Sequence, residues 1–183
     1  MRIAVLALQG AFAEHRQMLH RLGAETFEVR RLADWQQPKD GLVIPGGEST
    51  AQSKLLHDLG LFSPVRQAIA DGLPVFGTCA GLILLSPLHF GTMDVDVRRN
   101  AYGRQLGSFR CVAPVAGVGD DIPMTFIRAP YINNVSSPRC EVLAEVDGHI
   151  VAARQGRQLV TAFHPELDED SRVHEYFLSV VSQ

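Results

Sequence analysis

The sequence predicts a three-layer αβα domain built on a mostly parallel, doubly wound sheet with antiparallel additions. Three observations predict it. Short continuous apolar runs (Ile3 to Leu8, Leu42-Val43-Ile44 and Pro74-Val75-Phe76) read as strands buried on both faces. Between them lie segments whose apolar residues recur at helical spacing, and such alternation implies a parallel sheet. Towards the C-terminus, Asp147-Gly148 joins two strand-like runs, a hairpin signal that brings in antiparallel strands.

The first strand, Ile3 to Leu8, ends at Gln9-Gly10. Phe12, Leu19 and Leu22 then mark a helix that Gly23 closes. Thr26 to Val29 is a second strand and Leu42 to Ile44 a third, stopped by Pro45-Gly46-Gly47. Ser49 starts the next helix, since Ser49 and Gln52 fit an S-x-x-Q capping box, and Leu55, Leu56 and Leu59 supply its apolar face. Val65 and Ile69 mark another short helix before the Val75-Phe76 strand. Cys140 to Val146 and His149 to Arg154 pair across Asp147-Gly148, and Leu159 to Phe163 is a further strand. Val173, Tyr176, Phe177, Val180 and Val181 follow the i, i+3, i+4, i+7, i+8 pattern of a last helix. No repeat, low-complexity tract or linker interrupts this order, so one domain is expected over 1–183.

Composition excludes several classes of function. The chain has 183 residues, 46% hydrophobic and 20% charged, the profile of a soluble globular domain with ample core. A net charge of -3 without a basic stripe speaks against nucleic acid as a partner. The first apolar run is too short for a signal peptide or a membrane span. Cys79, Cys111 and Cys140 show no paired spacing, which argues against a disulfide framework and fits a reducing cytoplasm. The seven histidines form no H-E-x-x-H motif and no C-x-x-C is present, so no metal is expected. His15 and His20, five residues apart on a helix, read as solvated side chains.

Chemistry concentrates at Gly77-Thr78-Cys79-Ala80-Gly81. This G-x-C-x-G stretch lies between a strand and the apolar run Leu82 to Leu85, the cysteine counterpart of the G-x-S-x-G nucleophile elbow. Glycines permit the tight turn, and a helix N-terminus favours the thiolate. A cysteine nucleophile needs a base, and the base an orienting group. His164-Pro165-Glu166 follows a strand, and the proline biases His164 towards an extended backbone. Residues i and i+2 of an extended chain share a side, which places Glu166 beside the His164 ring. An oxyanion formed at Cys79 needs N–H donors, offered by Ala80 and by the bare Gly46-Gly47 loop. These residues specify acyl transfer through a thioester and leave an amide, an ester or a peptide open as substrate.

The same stretches resemble the class I, or triad, glutamine amidotransferases, whose fold is flavodoxin-like. Leu8-Gln9-Gly10, Pro45 to Thr50, Arg99 to Gln105, Phe126 to Pro130, Ala152 to Gly156 and Phe163 to Leu167 narrow the resemblance to one subfamily. That subfamily is the glutaminase subunit of pyridoxal 5'-phosphate synthase, and the resemblance spans nearly the whole chain. It implies that Cys79 attacks the carboxamide of L-glutamine, with His164 as base and Glu166 orienting it. It further implies that Gly47, Glu48, Ser49, Arg99, Ile127 and Arg128 contact glutamine, and that Gln9 and Gly10 help complete the oxyanion site on docking. The implied partner is a (β/α)8-barrel synthase subunit in a large hetero-oligomer, which makes pyridoxal phosphate from ribose 5-phosphate and glyceraldehyde 3-phosphate. No cofactor is implied for the glutaminase. The chain departs from many such proteins in the short Ser86 to Thr92 segment, where they carry a longer, acidic and glycine-containing stretch.

Overall fold

The computed structural model describes residues 1–99 and 108–183. In chain order it runs β1 (Arg2–Leu6), α1 (Phe12–Arg21), β2 (Glu25–Val29), α2 (Leu32–Trp35), β3 (Gly41–Ile44), α3 (Ser49–Asp58), α4 (Phe62–Ala70), β4 (Val75–Thr78) and α5 (Ala80–Leu85). Then follow β5 (Val95–Arg98), β6 (Ser108–Val115), β7 (Gly119–Ile127), β8 (Tyr131–Val135), β9 (Cys140–Val146), β10 (His149–Gln155), β11 (Gln158–Thr161), a 3₁₀ turn (Pro165–Leu167) and α6 (Arg172–Val181).

Helix-flanked parallel strands in the order β2-β1-β3-β4-β11 form the centre of the main sheet. This is the flavodoxin-like winding order, in which ligands collect beyond the carboxyl ends of the strands. Burial accounts for the apolar runs: every residue of β3 and β4 is buried, as are Ile3 to Leu6. β10, β8 and β5 extend the sheet antiparallel, β9 pairs with the side of β10, and β6 with β7 makes a separate ribbon. At the β9–β10 hairpin Asp147 and Gly148 both have positive φ (51° and 78°), as a two-residue type I′ turn requires.

Register brings the strand ends together. Ile44 of β3 pairs with Gly77 of β4, and Thr161 of β11 pairs with Thr78. The residues just beyond, Gly46, Cys79 and His164, therefore leave one edge of the sheet side by side. Behind them Phe76 packs on Phe177 of α6 (centroids 5.5 Å apart) and Phe126 on Phe163 (5.8 Å). One contiguous apolar cluster runs from Ile3 to Phe177.

Two local expectations are corrected. Glu48, not Ser49, caps α3: its carboxylate accepts from the amides of Thr50 (3.0 Å) and Ala51 (2.7 Å). Ser49 and Gln52 are buried inside the helix instead, so no Ser49–Gln52 capping box forms. Leu59 lies past the end of α3 and is exposed, leaving Leu56 as the buried leucine of that face. The short 86–92 segment is a closed turn, in which Ser86 O accepts from Gly91 N (2.9 Å) and buried Phe90 lies 4.8 Å from the Phe62 ring.

Candidate active site

Cys79 sits at the bend between β4 and α5 with φ 49° and ψ -98°, a strained conformation for a residue with a side chain. Its amide donates to Thr161 O at 2.8 Å, which ties the bend to β11. The close packing explains the flanking glycine: a Cβ at Gly81 would overlap the carbonyl oxygen of Ile44. Burial, with Asp94 nearby, pushes Cys140 up to about 11, and burial with Asp147 raises Cys111, so both stay protonated at neutral pH.

His164 is fixed at its backbone by donation to Thr125 O of β7 (2.8 Å). Its Nδ1 lies 2.7 Å from Glu166 Oε1, and both side chains are buried. The predicted contact is present, but its local cause differs. His164 has φ -110° and ψ 83°, and Glu166 belongs to the 3₁₀ turn, so the turn and not an extended strand brings the two together. Nδ1 is taken by Glu166, which leaves the other ring nitrogen for the hydrogen bond to Cys79. Burial opposes a charge on His164, yet the hydrogen bonds to Cys79 and Glu166 and their negative charge win and raise it to about 10. A thiol beside an imidazole that is held by a buried carboxylate is an arrangement for nucleophilic catalysis.

The glycine loop abuts this group. A Cβ on Gly46 would overlap His164 Cε1 and stand 2.9 Å from its Nδ1. The Gly46 amide donates to Thr78 Oγ1 (3.0 Å), which corrects the expectation that it faces an oxyanion. Gly47 and Ala80 keep that capacity: among the described residues their amides donate to no loop or side-chain acceptor. The loop after β1 is locked to the loop after β3. Gln9 Oε1 accepts from Glu48 N (2.7 Å), Gly46 O accepts from Ala11 N (3.0 Å), and Gly10 adopts φ 97°.

Of the residues expected to contact glutamine, Gly47 and the cap Glu48 lead into α3, which begins at Ser49. Arg99 reaches them, with Nη2 3.3 Å from Thr50 Oγ1 and 3.6 Å from Glu48 Oε1. Ile127 and Arg128 are exposed and follow Thr125 by two and three residues. They stand beside the His164 turn, not inside the buried group, and Arg128 has φ 44°. The rest of the Arg99 to Gln105 stretch lies outside the described residues.

Residues 5–183 match the SNO glutamine amidotransferase family. The chain belongs to that family. Among its relatives, the pyridoxal 5'-phosphate synthase subunit PdxT of Methanocorpusculum labreanum is 60% identical over 188 residues, covering 100% of this chain and 98% of the relative. The protein of the same description from Streptococcus pneumoniae is 54% identical over 193 residues, covering 100% and 98%. A crystal structure of a glutamine amidotransferase superposes with TM-score 0.91 at 41% identity over 99% of each chain. The structure of PurLQS from Thermotoga maritima, at TM-score 0.67, 17% identity and 97% coverage of each chain, shares the fold.

In this SNO family chain the elbow is surrounded by polar residues to which sequence alone assigned no role at the site. His15 of α1, expected in solvent, is fully buried, whereas His20 is exposed as expected. His15 contacts Thr78, Glu166 and the equally buried His174 of α6. Gln52 donates to Gln9 O (2.9 Å) and Pro45 O (3.1 Å), bracing both loops. The one available signal for His15 and His174 was position, since each falls on the inward stripe of its helix.

Proposed function

We propose that the chain, acting as one domain over 1–183, hydrolyses L-glutamine to glutamate and ammonia. We further propose that it passes the ammonia to a (β/α)8-barrel pyridoxal 5'-phosphate synthase subunit in a large cytoplasmic hetero-oligomer. The observation that carries the reading is the strained Cys79 elbow beside the buried His164–Glu166 pair (2.7 Å), in a chain 60% identical to a pyridoxal 5'-phosphate synthase subunit.

In this reading Cys79 Sγ bonds to the carboxamide carbon of glutamine while its proton rests on His164, and Glu166 balances the imidazolium. The Gly47 and Ala80 amides receive the oxyanion. The C–N bond breaks, and His164 gives its proton to the departing ammonia. Water then attacks the γ-glutamyl thioester and loses a proton to His164. Collapse releases glutamate and restores the thiol. Gly47, Glu48 and Ser49 border the bound glutamine, with Ile127 beside it. Arg99 and Arg128 are the cations available for its carboxylate.

The test is glutamate release from L-glutamine, with and without the synthase subunit. Stimulation by that subunit, with ammonia incorporated into pyridoxal phosphate, is the expected result. Full activity without it, or none in either mixture of folded proteins, defeats the reading.

A further inference from the structure

Behind the Cys79 elbow, α1, β4 and α6 converge on a buried polar cluster. His15 and His174 are both wholly inaccessible to solvent. His15 Nδ1 lies 2.9 Å from His174 Nε2, and His15 Nε2 lies 3.1 Å from Thr78 Oγ1 and 3.5 Å from Glu166 Oε2. Phe76 stands edge-on to both rings, with centroids 5.8 Å and 5.5 Å away. Among the described residues Glu166 Oε2 has no hydrogen-bond partner, nor has His174 Nδ1.

A buried carboxylate oxygen without a donor is costly, so what faces Oε2 matters. Among the described residues His15 Nε2 is the group aimed at it, and a proton there gives Oε2 a positive neighbour. The opposite tautomer would set a lone pair against a carboxylate. It would also use Thr78 as donor, and it gains no other partner in exchange. With the proton on His15 Nε2, Nδ1 accepts from His174 Nε2–H, and the short 2.9 Å contact is satisfied. The same proton faces Thr78 Oγ1, which accepts the Gly46 amide.

We propose that His15 is a positioning residue: its Nε2–H, with the tautomer set by His174, holds the outer oxygen of Glu166 and the hydroxyl of Thr78. Glu166 is thereby held with Oε1 turned to His164, and the Gly46 loop is tied to the same anchor. The inference rests on the reading of Cys79, His164 and Glu166 as the reacting group. The ionisable groups facing His15 are Glu166, His164 and His174, and Arg21 faces His174 in turn. Burial, with His174 and His164 nearby, holds His15 well below its ordinary value, so it acts as a neutral donor and carries no charge of its own. Burial, with Arg21, pushes His174 down to about 3, so both rings stay neutral at pH 7.

Two measurements test this. The first uses the unsubstituted full chain labelled with 15N-histidine, in which imidazole NMR reports which nitrogen carries the proton. His15 protonated at Nε2 at pH 7 is expected, and protonation at Nδ1 overturns the proposal. The second compares His15→Leu, His15→Gln and Cys79→Ala for glutamine hydrolysis in the complex with the synthase subunit. His15→Leu is expected to lower kcat about tenfold with KM within roughly twofold, and His15→Gln, whose amide can supply a donor near Nε2, to recover most of the loss. Wild-type kcat in a folded His15→Leu complex, or equal losses in the Leu and Gln variants, overturns the role of His15 while leaving the triad reading intact. Retained hydrolysis in Cys79→Ala overturns the triad reading and, with it, the proposal.

Discussion

Replacing Glu166 by Gln removes one negative charge and almost no volume from a side chain that is wholly buried. It weakens the 2.7 Å bond to His164 Nδ1, a charge-assisted hydrogen bond between two buried side chains. Such bonds contribute about 1.5–3 kcal/mol. If that contribution is realised when the imidazolium forms, kcat falls roughly 10- to 200-fold. The fall is smaller than that from removing the nucleophile, because Cys79 and the oxyanion donors remain. Glutamate release in the synthase complex reads it directly. A second readout is stability against pH. His164 is raised from 6.5 to about 10, so its contribution is present in full below pH 6.5 and is lost as pH rises through 10. The stability gap between wild type and Glu166→Gln should therefore narrow across that interval. Wild-type turnover in the variant would refute the orienting role. So would a loss equal to that of Cys79→Ala in folded protein, or a stability gap that does not change between pH 6.5 and 10.

Cys79→Ala should abolish glutamine hydrolysis without loss of fold or of partner binding, checked by turnover and by sedimentation of the complex. Gly46→Ala adds a methyl that overlaps His164 Cε1; a ring displaced by about 1 Å should cost roughly 100-fold in kcat, measured in the same assay. Glu48→Ala removes the α3 cap and about 1 kcal/mol with it, which lowers Tm by a few degrees. The Thr50 and Ala51 amides hold Glu48 below its ordinary 4.5, so the cap is present above that value and is lost as pH falls through the lowered one. Melting temperatures of wild type and Glu48→Ala should converge as that range is crossed.

The parallel half of the fold was legible because its strands are buried on both faces and so are written as unbroken apolar runs. β6 and β7 were not: β6 alternates half-buried with exposed positions, β7 buries only Ile122 and Met124 to Phe126, and Pro114 and Pro123 lie within the two strands. The elbow was legible for a steric reason: Gly81 tolerates nothing larger against Ile44 O. The α3 cap was missed because Ser49 matches the usual pattern, and only the loop geometry shows Glu48 reaching back over two amides. His15 was read as solvated from its spacing to His20, but its surroundings come from residues 63 and 159 positions away. Tertiary partners at that separation leave no local trace, and an inward-facing polar residue on an amphipathic helix is the only hint a single sequence offers.

Thr78 links the two halves of the site, and Thr78→Val tests the link. The hydroxyl lies 3.0 Å from Gly46 N and 3.1 Å from His15 Nε2, in a residue with no solvent exposure. Valine keeps the shape and the strand preference, so packing of β4 is conserved. What goes is one acceptor, leaving the Gly46 amide unpaired and His15 Nε2 with only the more distant Glu166 Oε2. A buried donor left without a partner costs about 1–3 kcal/mol. For a chain of this length that corresponds to a fall in Tm of about 2–12 °C. Thr78→Ser, which keeps the oxygen, should stay near wild type. The two variants should also separate in turnover. Without the Thr78 anchor the Gly46-Gly47 loop keeps its ties to Gln9, Ala11 and Gln52 but loses the one that fixes the Gly46 amide, while Cys79 and His164 stay fixed from β4 and β11. The oxyanion donor proposed at Gly47 then leaves its place although the proposed nucleophile and base remain. Thr78→Val should thus lower kcat by about ten-fold or more while Cys79 alkylation by iodoacetamide proceeds at an unchanged rate. Equal Tm and kcat for the Val and Ser variants would show that the hydroxyl is incidental and that backbone contacts alone hold the loop.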